Sequence, residues 1–191
     1  MIIKTTMKQI LVDTALFYPD SDDLPVVVHG REGSGASFFS VMLAVLFCQT
    51  QPLFFWSAYP PAKEEFYKEF TGAIHRIKSV DEITGNEPQV IVMENGDPRE
   101  LALALPKIDP SRIVFVKNFE TVPKGIASEL LESKRVIISG DMENALPKDE
   151  VATFPTRIFF SPYTDVDLPT LEKYQGYIFS AKKNGAIQVK M

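Results

Sequence analysis

Six short, unbroken apolar runs set the strongest limit on what this chain can fold into. They are Val26-Val27-Val28, Leu53-Phe54-Phe55-Trp56, Val90-Ile91-Val92-Met93, Ile113-Val114-Phe115-Val116, Val136-Ile137-Ile138 and Ile158-Phe159-Phe160. A strand with one face in water alternates apolar and polar residues, whereas a run without alternation marks a strand covered on both faces, as in a parallel sheet between helical layers. The intervening segments can supply those layers, with helices expected over 37–49, 62–70, 98–105 and 123–133. Strand and helix in alternation are the pattern of repeated βαβ units. Pro61, Pro98 and Pro123 fit the first helical turn, where a missing N–H costs nothing.

The two ends read differently. Residues 177–179 and 187–189 flank Asn184-Gly185, the preferred pair for a tight type I′ turn, so a terminal β-hairpin is expected. Residues 7–17 can be drawn as a short helix, followed by a polar loop over 19–23. The chain has 191 residues and no Ser/Gly-rich or charge-rich linker. The expected division is therefore an N-terminal helix and loop over 1–23 and a single α/β domain over 24–191.

Composition excludes several function classes. A net charge of −5 does not suit a protein that coats nucleic acid non-specifically, because that affinity comes from Lys and Arg displacing counterions; a local basic groove stays open. Cys48 is the only cysteine, so neither an internal disulfide nor a thiolate zinc cluster is possible. His29 and His75 have no third ligand at metal spacing. The N-terminus lacks the features of a signal peptide, and the longest apolar run, 41–48, is far shorter than the roughly 20 residues of a membrane span. The expectation is a soluble, cytoplasmic protein with no membrane partner.

One segment carries chemistry. The strand expected over Val26 to His29 leads into Gly30-Arg31-Glu32-Gly33-Ser34-Gly35-Ala36-Ser37, which opens the first helix. Gly30, Gly35 and Ser37 match the phosphate-loop pattern G-x-x-x-x-G-K-[ST] at every fixed position but one, where Ala36 replaces the lysine. Successive backbone N–H groups and a helix N-terminus form a concave site for anionic oxygens without help from that lysine. What is missing is the point charge that reaches the β- and γ-phosphates and stabilises charge during transfer. The other reading of residues 30–35 is a tight βα turn that uses glycine for backbone freedom alone.

From this loop onward, over about residues 24–190, the chain resembles a minimal RecA-like core of the ATPase class that includes RecA, KaiC and the FtsK/HerA DNA pumps. The resemblance implies a three-layer P-loop NTPase sandwich with a mostly parallel central sheet, here closed by a C-terminal β-hairpin. It implies nucleotide contacts from Gly30, Arg31, Gly33, Ser34, Gly35, Ala36 and Ser37, with Ser37 and Glu94 toward Mg²⁺ and ATP or ADP as cofactor. In such proteins the third strand ends in an acidic pair, the first member holding Mg²⁺ through water and the second activating the attacking water. Glu94-Asn95 stands there, and Asn95 cannot serve as the base. Where RecA and KaiC take a base from the end of the second strand, this chain has no acid before Glu64. Arg31 resembles in position the extra lysine of ParA- and MinD-type loops. Lys117 and Asn118 correspond to the place from which related ATPases sense the γ-phosphate, and Lys182 and Lys183 to a region that reaches a neighbouring subunit's nucleotide.

Three functional expectations follow. The first is a degenerate P-loop domain that binds nucleotide or serves as a structural subunit without efficient hydrolysis, assembled with itself or with another protein. The second is an unorthodox NTPase in which Arg31, Lys117, Lys182 or Lys183 restores the missing charge. The third is a nucleotide-free interaction module with a vestigial loop. The helix over 38–48, apolar around nearly its whole surface, fits core packing or a face against another subunit. Trp56 with Tyr59-Pro60-Pro61 could form an aromatic platform for a base, or simply close a strand end.

Overall fold

A computed structural model describes residues 21–59, 73–94, 96–164, 166–181 and 184–188, with Glu94 and Gln188 described in backbone only. The expectations for 7–17, 62–70, Asn95, Lys182 and Lys183 fall outside these residues. The strands are β1 (Val26–His29), β2 (Leu53–Ser57), β3 (Ile74–Ile77), β4 (Val90–Glu94), β5 (Ile113–Lys117), β6 (Val136–Gly140), β7 (Thr156–Phe159), β8 (Gln175–Phe179) and β9 (Asn184–Gln188). The helices are α1 (Ala36–Cys48), α2 (Pro98–Ala104), α3 (Lys124–Glu132), α4 (Met142–Ala145) and α5 (Lys148–Ala152).

The nine strands among the described residues form one sheet in the order β3-β4-β2-β5-β6-β1-β7-β8-β9. Pairing is parallel from β3 to β7 and antiparallel in the last two pairs. The unbroken apolar runs are explained by burial on two sides. One face, carrying Val28, Phe55, Val92, Phe115 and Ile137, packs on α1, and the Phe55 and Phe115 rings stack at 4.9 Å and 14°. The other face, with Val27, Phe54, Trp56, Val116 and Ile138, meets Leu101, Leu130, Met142 and Val151 from the remaining helices. Alternate residues along each strand thus serve opposite layers.

Local signals set the helix ends. Pro98 opens α2, and the Asp97 carboxylate accepts the Arg99 N–H at 2.9 Å. In contrast, α1 begins after Gly35, whose φ of 97° is left-handed, and it has no side-chain cap. Its first amides are left for something else.

Two departures from expectation are informative. β3 pairs with β4 at the sheet edge and was absent from the six runs. Ile74-His75-Arg76-Ile77 is half-exposed, so it has no run of apolar residues to announce it. In the hairpin, Asn184 pairs with Phe179 and Gly185 with Ile178, so Asn184-Gly185 lies within β9 and is not the turn. Register follows packing: Ile187 sits buried opposite Gly176, where a Cβ would lie 2.9 Å from the Phe160 ring. Among the described residues no helix is long and apolar enough to cross a membrane.

Candidate functional site

The glycine loop is fastened from below and open above. Gly30 N–H donates to Gly140 O at 3.1 Å, which ties the loop to β6. A Cβ on Gly30 would lie 2.3 Å from the Ala36 Cβ and 2.6 Å from Ser34 Oγ, so this position needs glycine and Ala36 faces inward. Gly33 and Gly35 take φ of 77° and 97°, values open to few residues but glycine. Ala36 N–H donates to Ser34 Oγ at 3.4 Å, and Arg31 N–H donates to Ser161 Oγ at 3.0 Å. The amides of Gly33, Gly35, Ser37 and Phe38 have no acceptor among the described residues. Four backbone donors at an uncapped helix start form a cradle suited to an anion.

Neighbouring groups shape the rim. Tyr174, itself left-handed at φ 62°, lies against the loop, its Cδ1 3.2 Å from where a Gly35 Cβ would be. Lys173 Nζ rests 4.9 Å above the Tyr174 ring. The Arg31 guanidinium donates to Glu143 Oε2 at 2.6 Å, and Glu143 Oε1 accepts the Thr164 N–H and hydroxyl at 3.2 and 2.9 Å. Arg31 and then Thr164 hold the Glu143 carboxyl below the usual range. Arg31 is therefore tied to α4. His29, fully buried, accepts the Met142 N–H at Nδ1 (3.1 Å), which leaves Nε2–H to donate to Pro162 O at 3.3 Å. Burial pushes its pKa down, so the ring is neutral and joins β1 to the ends of β6 and β7.

On the α1 face, the upper sheet edge carries polar residues in a row. Ser57 pairs in register with Lys117, and Lys117 with Ser139. Ser139 Oγ donates to Ser40 Oγ at 3.1 Å, and Ser40 Oγ donates to Ser37 O at 2.9 Å. That chain of hydroxyls pins the first turn of α1 to β6. Lys117 follows Ile113 and Phe115, which pack on α1, so alternation puts it on the same face. It is half-buried, has no hydrogen-bond or ion-pair partner among the described residues, and its pKa is lowered by burial, partly offset by Glu120.

The sequence-selected residues do not all come together. Gly30 to Ser37 form the loop. Glu94 ends β4, four strands from β1, about 19 Å away at the usual strand spacing. β5 lies only two strands from β1, ends in Lys117 and is followed by Asn118. Of the carboxylates around the loop, Glu120 accepts the Asp141 N–H at 3.1 Å, Asp141 caps α4 at Glu143 N–H (3.2 Å) and Glu143 holds Arg31, while Glu32, in the loop itself, is exposed. No group of three or more His, Cys, Asp or Glu among the described residues is arranged to hold a metal ion.

Ser161, Tyr174, Glu143 and Thr164 had no local sequence signal, since each reaches the loop from more than 100 residues away. The chain shares this architecture with proteins of known structure. It aligns with the genome packaging NTPase B204 of Sulfolobus turreted icosahedral virus 2 in complex with sulfate at a TM-score of 0.60 and 17% identity, over 88% of this chain and 97% of that one. The same NTPase with ATP-gammaS aligns at 0.61 and 15%, over 91% and 98%. The fold is that of a RecA-like P-loop NTPase. The EssC ATPase 2 and 3 fragment of Geobacillus thermodenitrificans aligns at 0.53 and 13%, over 92% of this RecA-like chain but 41% of its own length. No family model matches the sequence, and no curated protein matches it significantly.

Proposed function

We propose that this chain is a RecA-like P-loop domain that holds a phosphate-bearing ligand, a nucleotide in the first instance, without turning it over efficiently. It acts as a subunit in an assembly with copies of itself or with another protein. One observation carries this reading: the cradle at the start of α1 is intact in its backbone, with four open amides, while Ala36 leaves it without a lysine. Binding in such a loop rests on backbone donors and the helix terminus, which are present. Turnover rests on charges that follow the transferring group, and these are depleted. Removal of one preorganised stabilising group typically costs 10²- to 10³-fold in rate, and here both a lysine and an engaged acid are lacking. The B204 structures with sulfate, AMP and ATP-gammaS support a nucleotide as the ligand class.

The test is calorimetric titration of the full chain with ATP and ADP, alongside a Gly35→Arg variant. Arg at a φ of 97°, against Tyr174, obstructs the cradle. Binding by the parent that disappears in the variant is the expected result. Hydrolysis at rates of about 1 s⁻¹ or more, in the range of ordinary enzymes, would refute the non-hydrolytic part.

A further inference from the structure

The polar row at the sheet edge holds a cation where the loop would need a metal-binding acid. We propose that Lys117 takes the place of both the missing loop lysine and the divalent metal, so that the loop binds free, metal-independent phosphate groups. The proposal rests on the phosphate-loop reading above and specifies its ligand as the metal-free polyphosphate.

The geometry is built from named contacts. Lys117 is the register partner of Ser139, and Ser139 is bonded to Ser40, one helical turn below Ser37 on α1. The lysine stem thus rises from β5 beside the start of α1, on the side of the open amides. The ammonium has no acceptor among the described residues. A half-buried ammonium with no hydrogen-bonded anion is costly, Glu120 offsets that cost only in part, and an anion in the cradle would lower it further. Other described cations at the loop are less suitable. Arg31 is paired with Glu143, and Lys173 is exposed over the Tyr174 ring. A divalent ion bridging phosphates beside Ser37 would face the Lys117 ammonium, and the two positive charges would repel each other. Magnesium should therefore compete with the protein for the ligand.

The experiment titrates ATP, and separately inorganic pyrophosphate, into the full chain in EDTA and in excess Mg²⁺. The parent, Lys117→Gln, Lys117→Arg, the distant control Lys107→Gln and Gly35→Arg are compared. The expected outcome is parent affinity at least as high in EDTA as in Mg²⁺. Lys117→Gln should weaken it by about 10- to 100-fold, the range for a lost hydrogen bond to a charged group, with partial rescue by Lys117→Arg. Apo melting temperature separates this role from a structural one: loss of an unpaired, half-buried charge should leave the apo protein as stable or more stable, while the ligand-induced shift shrinks. Pyrophosphate binding equal to that of ATP would assign the contact to the phosphates alone. Binding tenfold tighter with Mg²⁺ would overturn the proposal. So would Lys117→Gln binding like the parent while Gly35→Arg does not bind, although the phosphate-loop reading would then survive. Absence of parent binding at millimolar ligand would overturn both.

Discussion

Replacing Gly35 with alanine probes the loop through two separable costs. The first is backbone strain: a non-glycine residue held at a left-handed φ, here 97°, costs on the order of 1–2 kcal/mol. The second is contact, because the new Cβ would approach Tyr174 Cδ1 to 3.2 Å, closer than a comfortable van der Waals distance. Gly33→Ala supplies the reference, since its φ of 77° carries the strain while nothing lies within 4 Å of the added Cβ. Gly33→Ala should therefore lower stability by about 1 kcal/mol and Gly35→Ala by about 2, or roughly 2–4 °C and 4–8 °C in Tm for a domain of this size. Urea unfolding of both variants, repeated in a Tyr174→Ala background, isolates the contact by a double-mutant cycle. In that background the gap between the two alanine variants should close. If the two variants are equally destabilised with Tyr174 present, Tyr174 does not lie on the loop and the description of the cradle's wall is wrong.

Three further outcomes follow from buried groups. His29 is neutral in the fold with a lowered pKa, so the unfolded chain takes up a proton that the folded chain resists. Stability should be level above about pH 6.5 and fall as pH drops below it, by at most about 1.4 kcal/mol per unit, until the folded value is reached; urea midpoints from pH 7.5 to 5 should show this slope, and His29→Gln should lose it. Phe115→Ala empties a fully buried site stacked on Phe55 and should cost about 3–5 kcal/mol by the same unfolding assay. Ser139→Ala breaks the buried bond to Ser40 and should cost about 1 kcal/mol while raising amide exchange in the first turn of α1.

The parts of the fold that were legible in the sequence are those where burial is two-sided. Val90 to Met93 or Ile113 to Val116 can be read as strands from composition alone, because each residue faces one apolar layer or the other. Ile74 to Ile77 could not, since an edge strand has one neighbour and keeps a mixed sequence. The hairpin shows the limit of turn signals. Asn184-Gly185 has the local preference, but the fit of Ile187 opposite Gly176 determines the pairing. The loop itself was legible because its parts are contiguous. Its surroundings were not, because which strand ends stand beside it depends on strand order, and a crossover places β2 between β4 and β5. Glu94 was singled out from an order that counts strands along the chain; in the sheet, Lys117 is the residue two strands from β1.

The loop's shape is held by bonds that do not depend on residues of turnover. Its framework consists of Gly30 bonded to Gly140, Arg31 to Ser161, and the hydroxyl chain from Ser139 through Ser40 to Ser37. None of these bonds involves a lysine at position 36 or an acid at the end of β5. Ala36 instead packs, buried, against the space above Gly30, where a flexible charged chain would have to leave the loop or be desolvated. The atoms that set the loop's shape are thus different from those that hydrolysis would use. Left-handed glycines and open amides are what binding alone requires, which is why the cradle's geometry supports a ligand but does not by itself support turnover.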